Sequence, residues 1–174
     1  MDKRGLKNIL LQTYASPCGE LLLGSYADKL CLCDWTAGAR HARVMARVQR
    51  YLQAPFMEEP SELTRRAVQE LDEFFVKKRQ VFDLPLLPVG TDFQKQVWNQ
   101  LLKIPYGQTL SYRQESLALG MPEAVRAIAN ANGANALSII IPCHRVIGHN
   151  GSLTGYGGGL AAKRFLLELE GYHN

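Results

Sequence analysis

One short stretch of the 174-residue chain places a nucleophile, a base and a cation side by side: Pro142-Cys143-His144-Arg145-Val146. A free thiol ionises near pH 8.5, so only about a few per cent is thiolate at pH 7. A neighbouring base or positive charge raises that fraction. Cys143 therefore reads as a thiolate nucleophile, with a buried, inert core thiol as the alternative. A side chain next in sequence usually points elsewhere, so His144 is expected to act on the thiol through a water molecule. An imidazole base needs a carboxylate to orient it, and Glu170 and Glu168 in the last helical stretch are the two candidates. Downstream, Gly155-Tyr156-Gly157-Gly158-Gly159 offers backbone N–H groups with little side-chain bulk, suited to wrapping a planar ligand or cradling an anion. No Lys-Ser or Lys-Thr follows these glycines in phosphate-loop register, which argues against a nucleotide-triphosphate site.

These residues need a scaffold. Leu137-Ser138-Ile139-Ile140-Ile141 predicts a buried strand that delivers Cys143 at its end. Before it, Thr91 with Gln94 and Ser111 with Gln114 are capping boxes. The first opens a helix with Phe93, Val97, Leu101 and Ile104 as its apolar positions, ending at Pro105-Tyr106-Gly107. The second opens a helix over Tyr112–Leu119, stopped by Gly120, and Pro122 starts another that runs to about Asn132. Helix, tight turn, helix is the arrangement of a helix-turn-helix. On the second helix Arg126 and Asn130 share a face among small neighbours, Ala124 and Ala127. Small side chains allow close approach to a phosphate chain with little base reading; plain helix packing is the alternative. The first third reads as an antiparallel meander, Asn8–Tyr14, Glu20–Tyr26 and Leu30–Trp35, then a helix over residues 39–52. Ser61 caps a further helix whose stripe is Leu63, Ala67, Leu71, Phe74 and Phe75. Leu84-Pro85-Leu86-Leu87-Pro88-Val89-Gly90 breaks the pattern. It divides the chain into domains 1–88 and 89–174.

Composition sets bounds. With 47% hydrophobic and 21% charged residues the chain can fill a core, which excludes wholesale disorder. The formal net charge of +4 is shared evenly by the two halves, so no basic tail or block stands out. No apolar run reaches the roughly 18–20 residues of a membrane helix. The start, MDKRGLKNILLQTY, lacks an apolar leader, so a cytoplasmic location with reduced thiols is expected for the four Cys.

The stretch 91–171 resembles the O6-alkylguanine-DNA alkyltransferases, also called methylated-DNA–protein-cysteine methyltransferases. The resemblance runs through Phe93-Gln94-Lys95-Gln96-Val97-Trp98, Ile104-Pro105-Tyr106-Gly107, Ser111-Tyr112, Ala124-Val125-Arg126-Ala127, Asn132-Gly133-Ala134-Asn135, the Cys143 pentapeptide, Gly155-Tyr156 and the Lys163–Gly171 helix. It implies an α/β (α+β) fold, with a ribonuclease-H-like antiparallel sheet domain followed by a winged-helix-like domain. It implies direct repair of double-stranded DNA containing alkylated bases, by a monomer, once per molecule and without cofactor or metal. In that resemblance Cys143 is the alkyl acceptor, His144 its base through a water, Glu170 the orienting acid and Asn135 the hinge before the active-site turn. Tyr112 serves guanine N3 and crowds the phosphate, Arg126 enters the base stack, and Val146, Tyr156 and Gly157 hold the base edge.

The chain departs from the pattern in places. Ala134 and Ala136 flank Asn135 where many relatives have Arg-Asn-Pro, which bears on DNA affinity. Ser138 replaces a Pro that some relatives use with bulky alkyl groups. Some relatives bind zinc near the N-terminus. Here Cys18, Cys31, Cys33 and His41 are the imaginable ligands, yet Cys31 and Cys33 alternate with Leu in a strand and the spacing fits no common zinc pattern. Two other functions compete: a cysteine hydrolase using Cys143, His144 and a Glu, and a sequence-specific helix-turn-helix regulator.

Overall fold

The computed structural model describes residues 7–173. Residues 1–6, where the stretch read for a leader begins, and Asn174 lie outside them. The chain divides at Gly90–Thr91 into two compact units, two residues beyond the boundary expected from the sequence.

In the first unit β1 (Ile9–Ser16), β2 (Gly19–Tyr26) and β3 (Lys29–Trp35) form antiparallel pairs. Ala27 and Asp28, both at positive φ, make the two-residue turn whose twist matches paired strands. After α1 (Arg40–Leu52), a short β4 (Phe56–Met57) joins β1 in parallel, so the sheet order is β3-β2-β1-β4. The expected antiparallel meander of three strands forms, and the parallel β4 on its edge makes the sheet mixed. α2 (Glu62–Phe75) starts at the Ser61 cap and buries Ala67, Leu71 and Phe74. The Pro-rich stretch closes the open edge of β3: Leu30 N donates to Pro85 O and Leu87 N to Leu30 O, both at 2.8 Å. A covered edge cannot template further strand pairing. Cys31 and Cys33 are buried in β3, and burial pushes the Cys31 thiol up to about 12. His41 Nδ1 is 2.8 Å from the buried Asp34 carboxylate. Among the described residues no three metal-ligating side chains converge, and no helix is long and apolar enough to cross a membrane.

The second unit contains α3 (Asp92–Leu101), β5 (Leu110–Ser111), α4 (Tyr112–Ala118), α5 (Val125–Gly133), β6 (Val146–Ile147) and α6 (Leu160–Leu169). Both capping boxes form, Thr91 with Gln94 and Ser111 with Gln114. Trp98 on α3 donates its indole N–H to Ala131 O at 2.8 Å and so ties α3 to α5. Two expectations are corrected. α5 begins at Val125, because the residues after Pro122 close a turn first, with Ala124 N bonded to Met121 O. The expected strand 137–141 is a tight buried turn, with Ile139 at φ 71° and Ile141 N bonded to Leu137 O at 2.8 Å. Its apolar side chains are buried as a strand's would be, but two of its backbone groups find partners in one nearby side chain.

Candidate active site

Asn135 supplies those partners. Fully buried, its side chain accepts from Leu137 N at 2.9 Å and donates to Ile141 O at 2.8 Å. The same Nδ2 lies 3.3 Å from Cys143 Sγ. One amide therefore both shapes the turn and offers an N–H to the sulfur. Cys143 is partly exposed and opens a single 3₁₀ turn, Cys143–Arg145, which leads into β6.

The two residues after the thiol enter a buried charge cluster. His144 Nε2 is 2.8 Å from Glu170 Oε2. Arg145 donates to both carboxylate oxygens, Nε to Oε1 at 2.8 Å and Nη2 to Oε2 at 3.0 Å, and its Nη1 reaches Ile104 O at 2.7 Å. Burial pushes the Glu170 carboxyl up, but the hydrogen bonds from His144 and Arg145, with the Arg145 charge, prevail and hold it at about 2. Burial pulls the His144 imidazole below its ordinary value, with Glu170 opposing. We assign a neutral imidazole facing an ionised carboxylate. A carboxylate only accepts, so Nε2 carries the proton and Nδ1 keeps the lone pair. Nδ1 is buried and meets no protein donor.

The tight approach of Pro105-Tyr106-Gly107 explains that motif. Gly107 N donates to Glu170 Oε1 at 3.3 Å, its φ is 79°, and a Cβ there would lie 3.0 Å from the Glu170 carbonyl oxygen. Gly107→Ala is expected to cost about 1–3 kcal/mol through strain at positive φ and this clash. A shift in the urea midpoint checks it; an unshifted midpoint contradicts the packing. Tyr106 lies 5.8 Å from the Arg145 guanidinium and completes the clamp.

On the other side of the thiol, Tyr112 donates to Thr154 O at 3.0 Å, and burial raises its phenol above the ordinary value. Lys163, which the sequence reading passes over, is fully buried beside it. Its ammonium donates to Thr154 O at 3.0 Å and lies 5.8 Å from the Tyr112 ring. Burial pulls Lys163 down to about 8, opposed by charge on Cys143. That attraction is mutual, so the ammonium favours negative charge on the sulfur. Its signal is helical phase: Lys163 shares a face with the buried Leu166, Leu167 and Glu170 of α6, a core position for a lysine.

Thus Asn135 reaches the Cys143 thiol, Glu170 reaches the imidazole of the next residue, His144, and Tyr112 is held at the Thr154 loop. Glu168 is exposed and does not meet the imidazole. Val146 is buried in β6 and pairs with Leu110, while Tyr156 and Gly157 are half-buried in the glycine loop. Arg126, Ala127 and Asn130 lie exposed on α5, with Ala124 half-buried at its cap, as an outward-facing surface.

Residues 92–172 match the family described as 6-O-methylguanine DNA methyltransferase, DNA binding domain. The methylated-DNA–protein-cysteine methyltransferase of Methanosarcina barkeri is 43% identical over 155 residues, covering 89% of this chain and 92% of that protein. The constitutive enzyme of that name from Bacillus subtilis is 38% identical over 167 residues, covering 91% and 93%. The crystal structure of Mycobacterium tuberculosis OGT in complex with DNA superposes with a TM-score of 0.80 at 40% identity, covering 93% of this chain and 92% of that one. The described geometry and these likenesses together place the chain in the methylated-DNA–protein-cysteine methyltransferase family.

Proposed function

We infer that this chain repairs DNA by direct reversal, transferring a methyl or larger alkyl group from guanine O6 in duplex DNA to Cys143, as a monomer and once per molecule. The observation that carries this reading is a partly exposed thiol with the Asn135 amide nitrogen at 3.3 Å, followed in the chain by His144, which pairs with Glu170 at 2.8 Å.

The thiol proton passes through a bridging water to His144 Nδ1, the one ring nitrogen with a lone pair. Glu170 stabilises the imidazolium that forms, and Arg145 keeps Glu170 ionised. The Cys143 sulfur attacks the alkyl carbon in line; the S–C bond forms as the C–O6 bond breaks. The electron pair stays on guanine, and the Tyr112 hydroxyl offers its proton at N3. Lys163 and Asn135 favour charge on the sulfur before attack. The product is a thioether that nothing here hydrolyses, which separates this chemistry from a cysteine hydrolase.

A base in a duplex must be extruded at a cost of a few kcal/mol. Exposed Arg126 on α5 fills the gap, Ala124, Ala127 and Asn130 let the helix approach, and Val146, Tyr156 and Gly157 hold the base edge. Arg126→Ala is therefore expected to slow repair in duplex by about 10–100-fold while leaving reaction with free O6-methylguanine unchanged. Equal loss with both substrates contradicts the stack-filling role. Duplex affinity is expected to weaken with salt and to depend little on sequence; strong preference for one sequence favours the regulator instead.

A further inference from the structure

Glu115 on the inner face of α4 and Asn132 in the last turn of α5 are both buried. Asn132 Nδ2 donates to Glu115 Oε2 at 2.8 Å. The remaining atom of each group, Glu115 Oε1 and Asn132 Oδ1, is buried without a hydrogen-bond partner. Both are oxygens, and an ionised carboxylate leaves both stranded, a costly state in a dry interior. Protonation of Oε1 would turn one of the two acceptors into a donor for the other. With Oε1–H donating to Asn132 Oδ1, acid and amide each donate once and accept once.

We propose that Glu115 is held as the neutral carboxylic acid, and that its paired hydrogen bonds to the Asn132 amide position the end of α5 and, through it, Asn135 and the Cys143 thiol. The path is short. Asn135 N donates to Asn132 O at 3.2 Å, and the Asn135 side chain holds Ile141 O and approaches Sγ. Glu115 touches neither the sulfur nor the base, so it is a positioning residue; this part rests on reading Cys143 as the acceptor. The surroundings agree. Burial pushes the Glu115 carboxyl up to about 7, with the Asn132 N–H partly opposing and no cation contributing. The elements packed on α4 are α5, β5 and β6. β5 and β6 bring Leu110, Ser111, Val146 and Ile147, none of them acidic or basic at neutral pH. α5 brings Arg126, which is exposed, and α4 itself carries the exposed Arg113 and the half-buried Tyr112, whose phenol is raised further by charge on Glu115.

The test compares the full chain with Glu115→Gln. A Gln amide donates to Asn132 Oδ1 and accepts from Nδ2, so it keeps both bonds without a titrating proton. In the wild type the folded state holds the proton up to about pH 7, whereas the unfolded state releases it near 4.5. Stability is therefore full below about 4.5, falls as pH rises, and levels off above about 7. Relative to Glu115→Gln, the wild-type folding equilibrium constant is expected to drop by about two to three powers of ten across that window. Methyl transfer in the wild type is expected to fall relative to Glu115→Gln above about pH 7, and Glu115→Leu, which breaks both bonds, to be slower at every pH. Parallel stability curves overturn the neutral acid. Divergent stability with coincident transfer profiles overturns the positioning role. Absence of any methyl on Cys143 in either chain instead refutes the acceptor reading, and the stability comparison still decides the proton. Should Glu115→Gln fail to fold, carboxyl-carbon NMR of glutamate-labelled wild type decides: one glutamate titrating near pH 7 supports the proposal, and none doing so overturns it.

Discussion

Replacing Cys143 with serine is expected to slow alkyl transfer by at least about 10⁴-fold, the scale seen when an activated nucleophile is removed, while leaving affinity for lesion-bearing duplex unchanged. The substitution exchanges one atom at a partly exposed position, and the Asn135 N–H stays in reach of it. What is lost is ionisation. A hydroxyl holds its proton far more tightly than a thiol, and an oxygen anion is a harder nucleophile toward an alkyl carbon. The α5 surface carrying Arg126 is untouched, so binding persists. Single-turnover transfer from an O6-methylguanine duplex, alongside fluorescence anisotropy, reads both quantities. Comparable transfer by the serine variant ends the thiolate argument.

Glu170→Gln is expected to have the second large effect, on two observables at once. Arg145 is almost fully buried and spends two of its donors on this carboxylate. Removing the negative charge leaves a buried guanidinium uncompensated, at a cost of about 3–5 kcal/mol. The Gln amide also brings donors to where His144 Nε2–H now donates, which favours the tautomer with its proton on Nδ1 and removes the base. A loss of about 10⁴-fold in transfer follows from a wrong tautomer. Urea unfolding and single-turnover rates, taken where the variant remains folded, measure the two terms. The pH dependence has a defined sign. Because the folded Glu170 value is depressed from 4.5 to about 2, its contribution is complete above about pH 4.5 and is lost as pH falls toward 2. Glu170→Gln lacks that acid limb; an unchanged limb, or an unchanged rate, makes Glu170 a bystander.

Much of this architecture is legible in the residues because it is local. The Thr91–Gln94 and Ser111–Gln114 boxes announce helix starts through side chain–backbone bonds that need no tertiary partner. The glycine at Gly107 and the pentapeptide at Cys143 are tied to their own backbone geometry in the same way. Where long-range partners decide, the sequence misleads. Leu137–Ile141 is apolar and rich in Ile, and reads as a strand, but Asn135 binds Leu137 N and Ile141 O and bends it into a turn. β4 is too short to carry a periodicity, and only its register against Ile9 and Leu10 reveals it. Glu168 and Glu170 are indistinguishable by type; helical phase separates them, since Glu170 shares the buried face of Lys163 and Leu166. Lys163 and Glu115 hide in plain composition, because a charged residue in an amphipathic helix is ordinarily on its wet side.

In the proposed reaction one sulfur, made nucleophilic by Asn135, His144 and Glu170, takes the alkyl group and keeps it. Intact-mass measurement of the whole chain after incubation with excess O6-methylguanine duplex, followed by peptide mapping, tests it directly. A single added methyl group is expected, located on Cys143, with no further demethylation of DNA once that thiol is filled. Catalytic turnover with an unmodified chain, or a methyl group found on any other residue, contradicts it.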